Sequence, residues 1–186
     1  MRTTAPGQSA LLLVDIIEIL DQKKIPYAII GAFAASFYGV VRASVDADAV
    51  VSLLTRQDSM DLCEDLKANG LKVEDRRGDV DDPIARVINI KDRFSNRVDL
   101  LMGIRGMQQE AFSRAKKVNF LEVPIKIVSL EDFIAMKIFA GNPIDISDVK
   151  GVLEVSGAKI NMKILERLTA AYGADCLKKL KVILRK

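Results

Sequence analysis

Two aspartates one residue apart, Asp46 and Asp48, sit inside a largely apolar, β-branched segment from Ser44 to Leu54. Side chains of a strand alternate faces with period 2, so both carboxylates leave the strand on the same side. Carboxylates held that close repel and raise each other's pKa unless a cation lies between them. Any fold for this chain has to answer for that charge. A divalent cation is the economical answer, because Mg²⁺ takes one or two carboxylates together with substrate phosphate oxygens. An isolated Asp-x-Asp pair more often marks a solvated face or a turn. Here the neighbours Ala47, Ala49, Val50 and Val51 are apolar, which argues against a freely solvated face.

A third carboxylate, Asp99, lies in the strand-like stretch Arg97–Met102. If that strand neighbours the first, Asp46, Asp48 and Asp99 form one cluster. Such clusters hold two metals roughly 3.5–4 Å apart and clamp an in-line displacement at phosphorus. The chain has no histidine and only two cysteines, Cys63 and Cys176, with no CxxC. That removes the commonest zinc sites and every histidine-based triad. A metal here must be bound by oxygen, which favours Mg²⁺ or Mn²⁺. Both cysteines read as buried or half-buried free thiols.

Residues 9–24 carry Leu13, Ile16, Ile17 and Leu20 at helical spacing, with Ser9 as cap and Pro26 as stop. Tyr27–Ile30 reads as a buried strand stopped by Gly31. Ala32–Tyr38 reads as a short helix ended by Gly39. Asp58–Ala68 is helical, and Leu71–Glu74, Ala85–Lys91 and Arg97–Leu101 are strands. The stretch Asp75–Pro83 reads as a solvated acidic hairpin loop. A helix is expected over Arg105–Lys117, then one or two short strands in Val118–Val128, broken at Pro124. From Ser129 onward the pattern is helical, opened by the capping box Ser129-Leu-Glu-Asp132. The alternation predicts an α/β (α+β) fold, a mixed sheet flanked by helices. The expected division is a sheet core over 1–128 and a helical region over 129–186 packed on it. With 49% apolar residues, the 186-residue chain can bury a real core, and its net charge of +3 is too small to argue for nucleic acid. The absence of any apolar run of ~18–20 residues and a poor match to a signal peptide predict a soluble, cytoplasmic protein with no membrane partner.

Upstream of the acidic pair the order is strand, Gly31, small residues, Tyr38-Gly39, Arg42, Ser44, then Asp46-x-Asp48. This resembles the AbiEii-like and MNT-like nucleotidyltransferases of toxin–antitoxin type, and Arg-Val-Asp99 resembles their third carboxylate strand. The segment Val128–Asp148, with Lys137, Asp145 and Asp148, looks like the family's following helix pair. The likeness spans roughly residues 25–150. Two positions depart from it. Ala32 stands where the family has a second Gly or a Ser, and Asn142 stands where an arginine is expected.

The resemblance implies transfer of a nucleoside monophosphate from an NTP to an acceptor hydroxyl, with release of pyrophosphate. It implies Asp46, Asp48 and Asp99 as catalytic and metal-binding residues for Mg²⁺ (or Mn²⁺). Gly31, Ala32, Arg42 and Lys137 are the expected nucleotide-binding residues. With no histidine, the base must be a carboxylate or a water on the metal. The acceptor is an RNA such as tRNA, or a protein, and the partner a cognate toxin or antitoxin. The alternative is a catalytically degenerate nucleotidyltransferase-fold module for binding or antitoxin function, which Ala32 and Asn142 favour. A third reading is an interaction domain whose aspartates are structural. Lys137 lies among apolar neighbours and needs a partner or a cleft, and Asp145 and Asp148 can pair with it or cap a helix. The basic tail Lys178–Lys186 reads as a solvated helix end, or a surface for RNA or a partner.

Overall fold

The helical spacing near the N-terminus is realised in helix α1, Ser9–Gln22, where Leu13, Ile16, Ile17 and Leu20 are fully buried. The computed structural model describes residues 1–52 and 54–185. Leu53, in the segment expected to be β-branched strand, and Lys186, in the basic tail, lie outside the described residues. Helix α1 stops before Pro26. Lys24 adopts a left-handed φ of 56° and the Ile25 N–H donates to the Leu20 carbonyl at 2.9 Å, a closing turn that satisfies a terminal carbonyl. Ser9 is not the cap. Its hydroxyl donates to the Val45 carbonyl (2.7 Å) and accepts from the Arg97 N–H (3.0 Å). It therefore ties α1 to the starts of the two aspartate-bearing strands.

Strands β1 (Tyr27–Ile29), β2 (Asp46–Val51), β3 (Lys72–Arg77), β4 (Ile84–Lys91), β5 (Arg97–Ile104), β6 (Lys116–Phe120) and β7 (Val123–Ile127) form one sheet in the order β3-β4-β5-β2-β1-β7-β6. The pairs β2·β5 and β1·β7 are parallel, and the other neighbours are antiparallel. Helix α2 (Gly31–Phe37) follows β1, and α3 (Arg56–Ala68) follows β2. Helix α1 packs on β2, β5 and β7, and α3 on β3. One side of β4 and β5 is buried through Ile88, Ile90, Val98 and Leu100. The alternate residues Lys72, Arg76, Lys91 and Arg97 are exposed on the other side. This is the mixed, helix-flanked α/β sheet expected from the sequence.

Three local expectations are corrected. The segment expected as a helix over Arg105–Lys117 contains only one turn, α4 (Ala111–Arg114), before β6 begins. Gly106, at φ +86°, breaks the chain direction, and the hairpin pairing of β6 with β7 claims Lys116 and Lys117. Pro124 does not break a strand but lies within β7. The pairing of β7 with β1 is confined to Ile29 and Ile127, so no partner there requires the missing N–H. The β6–β7 turn, Leu121-Glu122, has two positive φ values (49° and 65°) without the usual Gly or Asn. Asp75 lies in β3 rather than in the acidic loop, where the Arg86 guanidinium holds it on both oxygens.

The C-terminal helices are α5 (Leu130–Ala140), α6 (Pro143–Ser156), α7 (Met162–Ala171) and α8 (Ala174–Leu184). The Ser129 hydroxyl caps α5 by accepting the Asp132 N–H at 3.1 Å. Asn142, with Pro143 behind it, caps α6 by accepting the Asp145 N–H at 2.9 Å. Cys63 and Cys176 are buried free thiols. Among the described residues no helix is long and apolar enough to cross a membrane.

Candidate active site

Strand β1 delivers the chain to Ile30 in extended conformation, and Gly31 turns it at φ +63° into α2. A Cβ on Gly31 would lie 2.1 Å from Asp48 Oδ2. Glycine is required here twice over, for the left-handed φ and for the carboxylate that fills the space. The Ile30 N–H also donates to the Asp48 carbonyl (3.0 Å), which fixes the turn against β2.

The parallel register of β2 and β5 sets Asp48 opposite Asp99 and Asp46 opposite Arg97. One carboxylate oxygen from each of Asp46, Asp48 and Asp99 lies within 4.8 Å of the others, and all three side chains are half-buried. The sequence placed Asp46 and Asp48 on one face, and tertiary pairing brings Asp99 to them. Ser44 donates its hydroxyl to Asp46 Oδ1 at 2.7 Å. Asn89, opposite Asp99 in the β4–β5 register, donates Nδ2 to Asp99 Oδ1 at 2.7 Å. Burial, then the charges of Asp46 and Asp99, push the Asp48 carboxyl up to about 6, against a smaller opposing pull from Lys137 and Arg42. Three converging carboxylates, with Asp48 resisting ionisation, fit a hard divalent cation held by oxygen. Among the described residues no arginine pairs with Asp46 or Asp48.

The expected cations flank the cluster without neutralising it directly. Arg42 Nε donates to both oxygens of Asp148, at 3.1 and 3.4 Å. Lys137 Nζ lies 2.6 Å from Asp145 Oδ1 and 2.9 Å from Asp148 Oδ2. Asp148, only 2% exposed, thus holds both cations from α6. Asn142, at the position where an arginine was expected, is the cap that sets Asp145 in place. Ala32 is buried in the first turn of α2, and its carbonyl accepts the Ser36 hydroxyl at 2.9 Å.

Two cavities adjoin the acids. One, of about 280 Å³, includes Gly31, Asp48, Lys137 and Asp145 in an otherwise apolar wall. The other, of about 460 Å³, brings Ala32, Arg42, Ser44 and Asp46 together. All seven expected site residues therefore line one cavity or belong to the acidic cluster. The pairing of Asp145 and Asp148 with Lys137 was among the sequence expectations, whereas Asn89 on Asp99 and Arg42 on Asp148 were not. Asn89 carried a weak signal, a lone amide at the centre of the apolar run Val87–Ile90.

No curated protein matches the chain. Among solved structures it resembles the antibiotic-resistance factor ANT(2")-Ia in complex with adenylyl-2"-tobramycin, at 17% identity and TM-score 0.59, over 89% of this chain and 96% of that one. It also resembles the lincosamide antibiotic adenylyltransferase LnuA bound to lincomycin, at 12% identity and TM-score 0.52, over 83% and 100%. A third likeness is to an antigenic nucleotidyltransferase-like protein from Paracoccidioides brasiliensis, at 15% identity and TM-score 0.53, over 98% and 95%. At these identities the likeness establishes the fold. Residues 12–181 match the model of the family described as "Nucleotidyl transferase of unknown function (DUF2204)", and the chain belongs to that family of nucleotidyltransferase enzymes.

Proposed function

We propose that this protein is a Mg²⁺-dependent (or Mn²⁺-dependent) enzyme that transfers an NMP from an NTP to a hydroxyl of an RNA acceptor. The observation that carries this reading is the convergence of Asp46, Asp48 and Asp99 from two register-matched strands beside the bare backbone of Gly31. The acceptor oxygen forms a bond to the α-phosphorus, and the bond from that phosphorus to the bridging oxygen breaks to release pyrophosphate. A divalent ion held by the three aspartates supplies charge neutralisation and Lewis-acid activation when bound. Asp99, one oxygen fixed by Asn89, is the carboxylate placed to take the acceptor's proton, since no histidine competes for the role. Gly31 and Ala32 bring backbone close to the phosphates, and Arg42 and Lys137, held beside the cluster by Asp148, are the side chains assigned to contact them. Positioning and charge stabilisation account for most of the rate in such a reaction.

An RNA acceptor is favoured over a protein by the sheet face that carries Asp99. The cross-strand row through Asp46 continues as Arg97, Lys91 and Lys72, and Arg76 lies on the same face of β3, two same-face positions beyond Lys72. All four basic residues are exposed, and Glu74 is the acid among them, paired to Arg76 at 2.8 Å. Such a surface suits a polyanion leading its terminal hydroxyl to the cluster. The sequence resemblance supports a place in a toxin–antitoxin or defence pair. The degenerate binding or antitoxin module stays the second reading, on the strength of Ala32 and Asn142.

The test is transfer of label from each α-labelled NTP to total RNA and to total protein, with wild type and Asp46→Ala. Label in RNA that requires Mg²⁺ and is lost in the variant is the expected result. Label confined to protein refutes the RNA acceptor. Metal-dependent NTP binding without transfer to either fraction favours the binding module.

A further inference from the structure

The cavity of about 280 Å³ beside the acidic cluster has a wall of mixed character. Leu101 and Ile104 from β5 and Phe133, Met136 and Phe139 from α5 make it apolar. Asp48, Lys137 and Asp145 are its charged members. Asp48 also belongs to the cluster, so the cavity opens from the place where the triphosphate would sit. Its volume is close to the lower bound, roughly 300 Å³, of small-ligand pockets. That is room for a nucleoside, with the phosphates left outside at the acids. Flat apolar and aromatic walls suit a base.

Asp145 is 6% exposed. Its Oδ1 is engaged by Lys137 Nζ at 2.6 Å. Its Oδ2 is buried and has no hydrogen-bond partner among the described residues. A buried carboxylate oxygen is costly to leave unsatisfied, so such an atom on a residue that lines the cavity points to a ligand that donates. The Asn142 cap accepts the Asp145 backbone N–H and the Lys137 pair holds Oδ1, so the residue is fixed at its backbone and at one carboxylate oxygen.

We infer that this cavity takes the nucleoside of the incoming NTP, and that Asp145 is a specificity-determining residue whose free oxygen accepts a hydrogen bond from an O–H or N–H of that nucleoside. The inference rests on the transferase reading above and adds the selectivity of its donor site. The donor is a ribose hydroxyl or a base amino group, and analogues separate the two. A site built around such an acceptor rejects analogues that lack the donor, because the oxygen is then left buried and unpaired.

The test is calorimetric titration of the full chain in Mg²⁺ with the four NTPs, and with 2′-deoxy and 3′-deoxy analogues. A purine riboside triphosphate lacking the amino group completes the series, and inorganic tripolyphosphate is the reference. With wild type, one missing donor is expected to weaken binding by about 10- to 100-fold. Loss with a deoxy analogue assigns the ribose, and loss with the riboside analogue assigns the base. Asp145→Asn, which presents an amide in place of a carboxylate, is expected to erase that difference, read as the ratio of affinities for each NTP and its analogue on the same variant. If Asp145→Asn does not fold, Met136→Trp, which fills the cavity, is expected to weaken every NTP but not tripolyphosphate. Equal affinity of wild type for all analogues, or discrimination that survives in Asp145→Asn, overturns the inference and leaves the transferase reading standing. No Mg²⁺-dependent binding of either NTP or tripolyphosphate overturns both.

Discussion

Asp48 is expected to be a stability liability that a cation removes. Its carboxyl is pushed from an ordinary 3.8 to about 6, first by burial and then by the charges of Asp46 and Asp99. In the unfolded chain the group ionises near its ordinary value, whereas in the fold it keeps its proton to about pH 6. Between those values the native state binds more protons, so stability falls as pH rises through this window, and the loss is complete at neutral pH. The separation corresponds to about 3 kcal/mol, an upper figure for a single group. Asp48→Asn keeps the shape and removes the charge. In metal-free buffer at about pH 7 the variant should melt above wild type by roughly 6–12 °C, at 2–4 °C per kcal/mol for a chain of this size. The advantage should shrink to a small remainder at pH 4, where the folded wild-type carboxyl is protonated and the unfolded one is about half so. Millimolar Mg²⁺ should raise the wild-type midpoint more than that of the variant, because a ligand that binds the native state stabilises it by mass action. Scanning calorimetry at the two pH values, with and without Mg²⁺, measures all of this. A variant no more stable than wild type at neutral pH, or an advantage unchanged at pH 4, would refute the electrostatic account of the cluster.

Gly31→Ala should displace the Asp48 carboxylate, since the new Cβ would meet Oδ2 at 2.1 Å. A loss of about 100-fold in nucleotidyl transfer is expected from such a misplacement, with about 1–2 kcal/mol of backbone strain seen on melting. Asp148→Ala leaves Arg42 without its carboxylate and Lys137 with Asp145 alone, and should cost about 1–3 kcal/mol in urea unfolding; a change well below about 1 kcal/mol would mean the clamp is idle. Asn89→Ala frees one oxygen of Asp99, and the affinity for Mn²⁺ should fall about 10- to 100-fold by calorimetry with the fold unchanged.

Much of the site was legible along the chain because it is local. Asp46 and Asp48 share a face through strand periodicity, and Gly31 marks a turn that side chains resist. The Ser129 cap shows itself as a short-range pattern. Helix ends were legible for the same reason, as at Gly39 and at Asn69-Gly70, where the chain turns within four residues. What escaped depends on partners far away in sequence. Whether Lys116-Lys117 continues a helix or starts a strand is decided by Ile127 and Lys126 across the hairpin. The register that puts Asp99 against Asp48, some fifty residues apart, is set by packing of the sheet and by the single hydroxyl of Ser9 bridging Val45 and Arg97. The same holds for Asn89 on Asp99 and for Arg42 on Asp148, which join separate elements. Local pattern encodes which way a side chain faces; only long-range packing, with its cooperative burial, decides what it meets there.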